Sequence, residues 1–161
     1  MKKNKKNYSF MALTALALFA LISCKNGTIT EPSPLGPSSI GVVLGLSAKP
    51  SVILAGELVR QKSDLTATLA KYDGIPISGR TILFELVSGT GRRMNIGYLD
   101  GEASMLAVVT DSSGTARTRY FGPLKSEIRG NADVYVRATV VWDDDQHIQD
   151  AIQIYVIRDS N

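Results

Sequence analysis

"ADVYVRATVVW", residues 132–142, alternates apolar and polar side chains with a period of two. Val134, Val136, Ala138, Val140 and Trp142 share one face, and Asp133, Arg137 and Thr139 take the other. Successive side chains of a β-strand point to opposite sides, so this pattern predicts a strand with one buried and one solvated face. The same period recurs upstream in "DLTATLAKY" (64–72), through Leu65, Ala67 and Leu69, with Asp64, Thr66 and Thr68 opposite. It recurs again in "RTILFELV" (80–87), through Ile82, Phe84 and Leu86, with Glu85 opposite. Further strands are expected over 42–48, 104–110, 115–121 and 148–157, the last with Ile152, Ile154 and Val156 on one face. Turn formers separate them: "DGIP", "SGTG", "DSSG", "RGNA" and "DDDQ". No window of adequate length has helical spacing. About seven strands over roughly 115 residues predict an all-β fold, an antiparallel β-sandwich. Phe84 and Trp142 are expected to be its large core side chains.

Four fragments in order carry a family resemblance: "LSAKPSVILAG" (46–56), "YDGIPISGRTILF" (72–84), "SGTG" (88–91) and "TDSSGTA" (110–116). They resemble the bacterial Ig-like domains of the invasin and intimin type, whose text runs through a D-x-G-x-P turn, a G-x-x-(V/I)-x-F strand, a glycine-rich loop and a T-D-x-x-G-x-A hairpin. The resemblance covers residues 42–158 and implies an Ig-like sandwich that acts without catalysis, in adhesion, protein binding or envelope assembly. The matched residues themselves have structural work. Gly74, Gly79 and Gly114 suit positive φ, Pro76 restricts φ, and Asp73 and Asp111 can bond their own turn amides. Two stretches depart from the pattern: "RRMNIGYLDGE" (92–102) is longer and more polar than the usual loop, and "WDDDQHIQD" (142–150) replaces a shorter last turn. The carboxypeptidase-regulatory or transthyretin-like sandwich shares the D-x-G-x-P and T-D-x-x-G fragments. It is shorter and lacks the "LSAKPSVILAG" lead-in. The vertebrate immunoglobulin pattern is unsupported, because Cys24 is the only cysteine and no disulfide can form within the chain.

Ahead of the domain, residues 1–23 combine a basic start, "MKKNKKNYS", with an apolar run from Phe10 to Ile22. That run is shorter than the roughly 20 residues that cross a bilayer as a helix, and it fits the apolar segment of a secretory signal. "Leu21-Ile22-Ser23-Cys24" resembles the lipobox of bacterial lipoproteins. The resemblance implies cleavage after Ser23, lipid on Cys24, and membrane attachment through that lipid. Two or more acyl chains make release from a bilayer negligible. Residue 25 is Lys rather than Asp, which the enteric sorting rule for such proteins would direct to the outer membrane. Residues 24–41, rich in Pro, Ser, Gly and Thr, read as a tether that cannot bury enough surface to order itself.

The charges are distributed to match. The chain has 18 basic and 15 acidic residues, but Lys2, Lys3, Lys5 and Lys6 all lie in the leader, and the chain beyond residue 23 has a net charge of −1. No basic patch or stripe argues for nucleic acid. His147, the only histidine, stands beside "DDD" in a predicted turn, where no catalytic triad can be built around it. No Gly-x-Ser-x-Gly elbow occurs. "Gly89-Thr90-Gly91" has Met94 where a dinucleotide fingerprint needs its third glycine. Asp143, Asp144 and Asp145 read as a solvated hairpin tip or a calcium site; the EF-hand pattern is broken by Ile148 and Ile154. The expectation is therefore a protein that is not an enzyme and has neither cofactor nor metal. Its partner is an unidentified protein or a glycan, with an accessory subunit of a polysaccharide-binding or transport assembly as the alternative. Arg92, Arg93 and Tyr98, in the long loop, are the candidate recognition residues; Arg117 and Arg119 with Tyr120 form a second group of residue types enriched in binding hot spots.

Overall fold

The computed structural model describes residues 41–143 and 146–159. The leader, Cys24, the tether as far as residue 40, and Asp144 and Asp145 of the candidate calcium turn lie outside the described residues.

Among the described residues nine strands form two sheets: β1 (Val42–Lys49), β2 (Val52–Leu54), β3 (Lys62–Lys71), β4 (Thr81–Val87), β5 (Tyr98–Leu99), β6 (Met105–Val109), β7 (Thr115–Phe121), β8 (Ala132–Asp143) and β9 (Gln146–Ile157). The first sheet has the order β1-β3-β7-β5 and the second β2-β9-β8-β4-β6. All seven expected strands are present, and β2 and β5 are short additions to them. The fold is an all-β, Ig-like sandwich. In Ig terms β1, β3, β7 and β5 take the places of strands A, B, E and D, and β9, β8 and β4 those of G, F and C, with β6 at the C′ place beside β4.

Three expectations need correction. The pairing is not antiparallel throughout, because β2 runs parallel to β9 through Val52 opposite Tyr155 and Leu54 opposite Ile157. After β1 the chain changes sheets across a cis Lys49–Pro50 peptide and keeps its direction, and the strand it then meets runs the same way. Trp142 is only half-buried, since β8 has outrun its last β4 partner at Val140 opposite Ile82; its ring sits at the rim with the Arg80 guanidinium 4.6 Å from its centroid. His147 is an exposed strand residue opposite Val141, not a turn residue.

The core is otherwise the alternation made solid. Ile82, Phe84 and Leu86 face Val140, Ala138 and Val136 in register, and Val134 faces Ile154. Leu65, Ala67 and Leu69 close the layer from the first sheet, and all of these side chains are buried. Each larger one contributes about 1.5–3 kcal/mol by leaving water. Tyr120, rather than Trp142, is the second large core ring beside Phe84.

The turn chemistry follows the expectation. Asp73 Oδ1 accepts from the Ile75 N–H at 3.1 Å, and Asp111 Oδ1 accepts from the N–H groups of Ser113 and Thr115 at 2.8 and 3.1 Å. The long 88–104 connection has a topological cause. It leaves β4, crosses to the first sheet to lay β5 beside β7, and returns to the second sheet as β6.

Candidate interaction surface

The crossover places Tyr98 beside Phe121, its register partner on β7, and the two rings stack at 5.3 Å with an interplanar angle of 27°. A guanidinium flanks each ring: Arg60 lies 4.9 Å from the Tyr98 centroid and Arg119 lies 5.6 Å from that of Phe121. Arg60, Tyr98, Phe121 and Arg119 thus form a row on the outer side of the first sheet.

Each arginine is held by a carboxylate. Arg60 Nη1 donates to Glu127 Oε2 at 2.7 Å and to the Gly122 carbonyl at 3.0 Å, while Nη2 donates to Glu127 Oε1. Glu127 also accepts from the Leu124 N–H at 2.9 Å. Those donors hold the Glu127 carboxyl below its ordinary range, and the Glu127 hydrogen bond pushes the guanidinium of Arg60 up. At the far end, Asp100 accepts from the Arg119 N–H at 2.9 Å, from Arg119 Nε at 3.1 Å and from the Thr118 hydroxyl at 3.1 Å. Partial burial pushes the Asp100 carboxyl up, but the Arg119 and Thr118 hydrogen bonds outweigh it and the net direction is down. The row is therefore a preorganised set of charges that offset one another.

Its neighbour is an apolar tip. The β2–β3 connection carries Leu58, 92% exposed, and Val59, 74% exposed, immediately before Arg60. This connection is anchored rather than loose. Gly56 N–H donates to the Pro123 carbonyl at 3.2 Å, Lys125 N–H to the Gly56 carbonyl at 2.7 Å, and Lys125 Nζ to Glu57 Oε1 at 2.7 Å. A side chain at Gly56 would come within 1.8 Å of the Val59 carbonyl oxygen, so the tight turn that projects Leu58 and Val59 needs glycine there. Beside it opens a cavity of about 290 Å³ lined by Arg60, Asn95, Ile96, Tyr98, Glu127 and Ile128. The Tyr120 hydroxyl reaches from the core to donate to the Ile96 carbonyl at 2.9 Å, which fixes the cavity's wall.

The residues singled out from the sequence are divided between two places. Tyr98 belongs to this row. Arg93 lies with the second sheet, with Nη2 3.7 Å from Glu85 Oε1 and 3.6 Å from Met105 Sδ, and Arg92 is exposed in the turn whose carbonyl accepts from the Ser88 N–H. Of the second group, Arg119 joins Tyr98, Arg117 pairs with Asp111 at 3.2 Å, and Tyr120 points into the core. Phe121 was legible by continuing the period of two from Arg117 through Arg119 to the same outward face. Leu58, Val59, Arg60 and Glu127 carried no such signal, because the loops that hold them meet only in the folded chain. Among the described residues no group of three or more His, Cys, Asp or Glu side chains is placed to hold a metal ion.

No protein-family model matches the chain, and no curated protein matches it in sequence. Among solved structures it is similar to the periplasmic chaperone SfaE, at 8% identity and a TM-score of 0.44, over 70% of this chain and 56% of that one. It is similar also to the E. coli chaperone DraB, at 11% identity and a TM-score of 0.47, over 71% of this chain and 55% of that one. A third is AggA, the major subunit of aggregative adherence fimbriae type I from Escherichia coli, at 13% identity and a TM-score of 0.43, over 72% of this chain and 94% of that one. The chain spans little more than half the length of the two chaperones.

Proposed function

We propose that this is a non-enzymatic, lipid-anchored envelope protein whose Ig-like domain, of the invasin and intimin type, binds another protein. The observation that carries the reading is the exposed Leu58–Val59 tip set against the Arg60–Tyr98–Phe121–Arg119 row. Binding energy at protein interfaces concentrates in aromatic and arginine side chains that pack into small desolvated pockets. Here such side chains are already held in place by Glu127 and Asp100, so little ordering entropy remains to be lost on docking. The cavity, about 290 Å³, has room for one inserted side chain. The Tyr98 ring already packs against Phe121 and Arg60, which favours a protein over a sugar stacked on that ring. The lipobox-like "Leu21-Ile22-Ser23-Cys24" supports attachment to a bacterial membrane, with Lys25 supporting the outer one.

The test places a photo-crosslinking amino acid at Leu58 in the full chain in intact cells. Crosslinking to one envelope protein, lost in Arg60→Ala and Tyr98→Ala, is the expected result. Retention of polysaccharide with no protein adduct would replace the reading with the accessory glycan-binding one. Partition of the wild type into detergent, against release of Cys24→Ala into the aqueous phase, tests the anchor separately.

A further inference from the structure

The strand β6, "MLAVV" at 105–109, ends the second sheet, and no described strand lies beyond it. Its hydrogen-bond phase is set at both ends: the Leu86 N–H donates to the Ser104 carbonyl at 3.0 Å and the Thr110 N–H donates to the Arg80 carbonyl at 2.9 Å. With Leu106 opposite Phe84 and Val108 opposite Ile82, those two residues form the hydrogen-bonded pairs with β4. The N–H and C=O groups of Met105, Ala107 and Val109 therefore project from the free edge. Their side chains lie together on the outer face, Met105 40% and Val109 59% exposed, while Leu106 and Val108 pack against the core.

The other terminal strands differ from it. On β1, Asp150 Oδ2 accepts the outward Leu46 N–H at 2.7 Å; β2 has three residues and β5 has two. Open edges are normally blunted by charge, proline or a bulge, and β6 has none of these.

We propose that β6 pairs with β6 of a second copy of this chain, antiparallel, about a two-fold axis through Ala107. The arrangement follows from the strand's own phase. Ala107 meets Ala107 of the other copy, and Met105 meets Val109, all at positions whose backbone groups face outward and each exchanging two hydrogen bonds. The smallest residue sits on the axis, where its side chain meets its own copy. Leu106 meets Val108 on the core side, which extends both cores across the seam. No charged residue of β6 faces its like, so nothing in the strand opposes self-pairing, and the sheet continues from five strands to ten. One short strand pair buries less area than a stable interface, so the dimer is reversible.

The experiment uses the purified full chain with Cys24→Ala, so that each introduced thiol is the only one. Ala107→Cys is treated with dibromobimane, which bridges thiols a few ångströms apart. The expected product is a dimer of twice 17.4 kDa. Met105→Cys alone should give at least tenfold less, because the axis separates its two copies by about 14 Å at 3.4 Å per residue. Met105→Cys with Val109→Cys should restore the dimer. Adding Ala107→Pro to that pair removes an outward N–H at an edge that tolerates proline, and should abolish it with the circular dichroism unchanged. No crosslink at Ala107→Cys or at the paired variant, or equal crosslinking at Met105→Cys and Ala107→Cys, overturns the proposal. The double variant carries the test should Ala107→Cys misfold.

Discussion

Arg137 and Glu85 face each other across β8 and β4, with Nη2 2.8 Å from Oε2, on the outer side of the second sheet. The Glu85 side chain is 10% exposed and that of Arg137 29%, and Arg93 approaches the other carboxylate oxygen. Breaking one partner of a covered pair leaves a charge without compensation, a cost tempered here by the solvent that reaches the guanidinium. Glu85→Gln should lower stability by roughly 1–2 kcal/mol in urea unfolding. Glu85→Leu with Arg137→Leu should lie within about 1 kcal/mol of the wild type, because it removes the desolvation cost with the attraction. A double variant as damaged as the single one would contradict this.

Tyr120→Phe keeps the core ring and removes the hydrogen bond to Ile96. A loss of about 1 kcal/mol is expected. Burial pushes the Tyr120 phenol well above its ordinary value. A group whose folded pKa is raised contributes stability that is full below its unfolded pKa and is lost as pH rises. Alkaline unfolding should therefore begin above about pH 10, and Tyr120→Phe should flatten it. An unchanged alkaline limb in that variant would count against the buried phenol as its cause.

Acid acts through the opposite sign. Glu127 is held down by its hydrogen bond from Arg60, Asp111 by that from Ser113, and Asp100 by Arg119 and Thr118 against the upward push of burial. Depressed carboxylates contribute stability above their unfolded pKa that is lost as pH falls through the folded one. The urea midpoint should decline below about pH 4, and the deficit of Asp100→Asn at pH 7 should shrink at pH 2. Equal deficits at both values would exclude the ionised carboxylate as the source.

Two glycines with similar backbones should respond differently to alanine. Gly97 has φ +71, and a Cβ there would meet the Phe121 carbonyl oxygen at 2.3 Å and the Tyr120 ring at 2.7 Å; Gly74 has φ +85 and open space. Gly74→Ala should cost about 1 kcal/mol for the left-handed backbone alone. Gly97→Ala should cost roughly 2–4 kcal/mol and disturb the Tyr98–Phe121 stack. Thermal unfolding of the two variants separates them.

Thr139 is buried on β8, and its hydroxyl has no hydrogen-bond partner among the described residues. Thr139→Val conserves the shape and removes the unmet polar atom. It should raise stability by about 1 kcal/mol; a loss would mean that the hydroxyl is satisfied by water.

The seven long strands were legible because each buries one face, and a period of two survives any context that leaves that face apolar. β2 and β5 were not, since three and two residues cannot display a period. Trp142 has the right phase for the core and the wrong height: its position past the end of β4 depends on where a different strand stops. Tyr98 was visible as a residue type, but its partners Arg60 and Phe121 lie 38 and 23 residues away along the chain.

What the sequence by itself determined is what repeats locally: the strands, the Asp73 and Asp111 turns, and which side chains of each strand face inward. Tertiary structure alone decided which loops meet. The 88–104 segment crosses between sheets because β7 offers a free edge to β5, and that crossing brings Tyr98 to Arg60 and leaves Arg93 with Glu85. It also leaves β6 at the end of its sheet. Contacts of this kind depend on sheet order, and sheet order is set by burial and backbone pairing summed over the whole sandwich, which no single stretch of residues encodes.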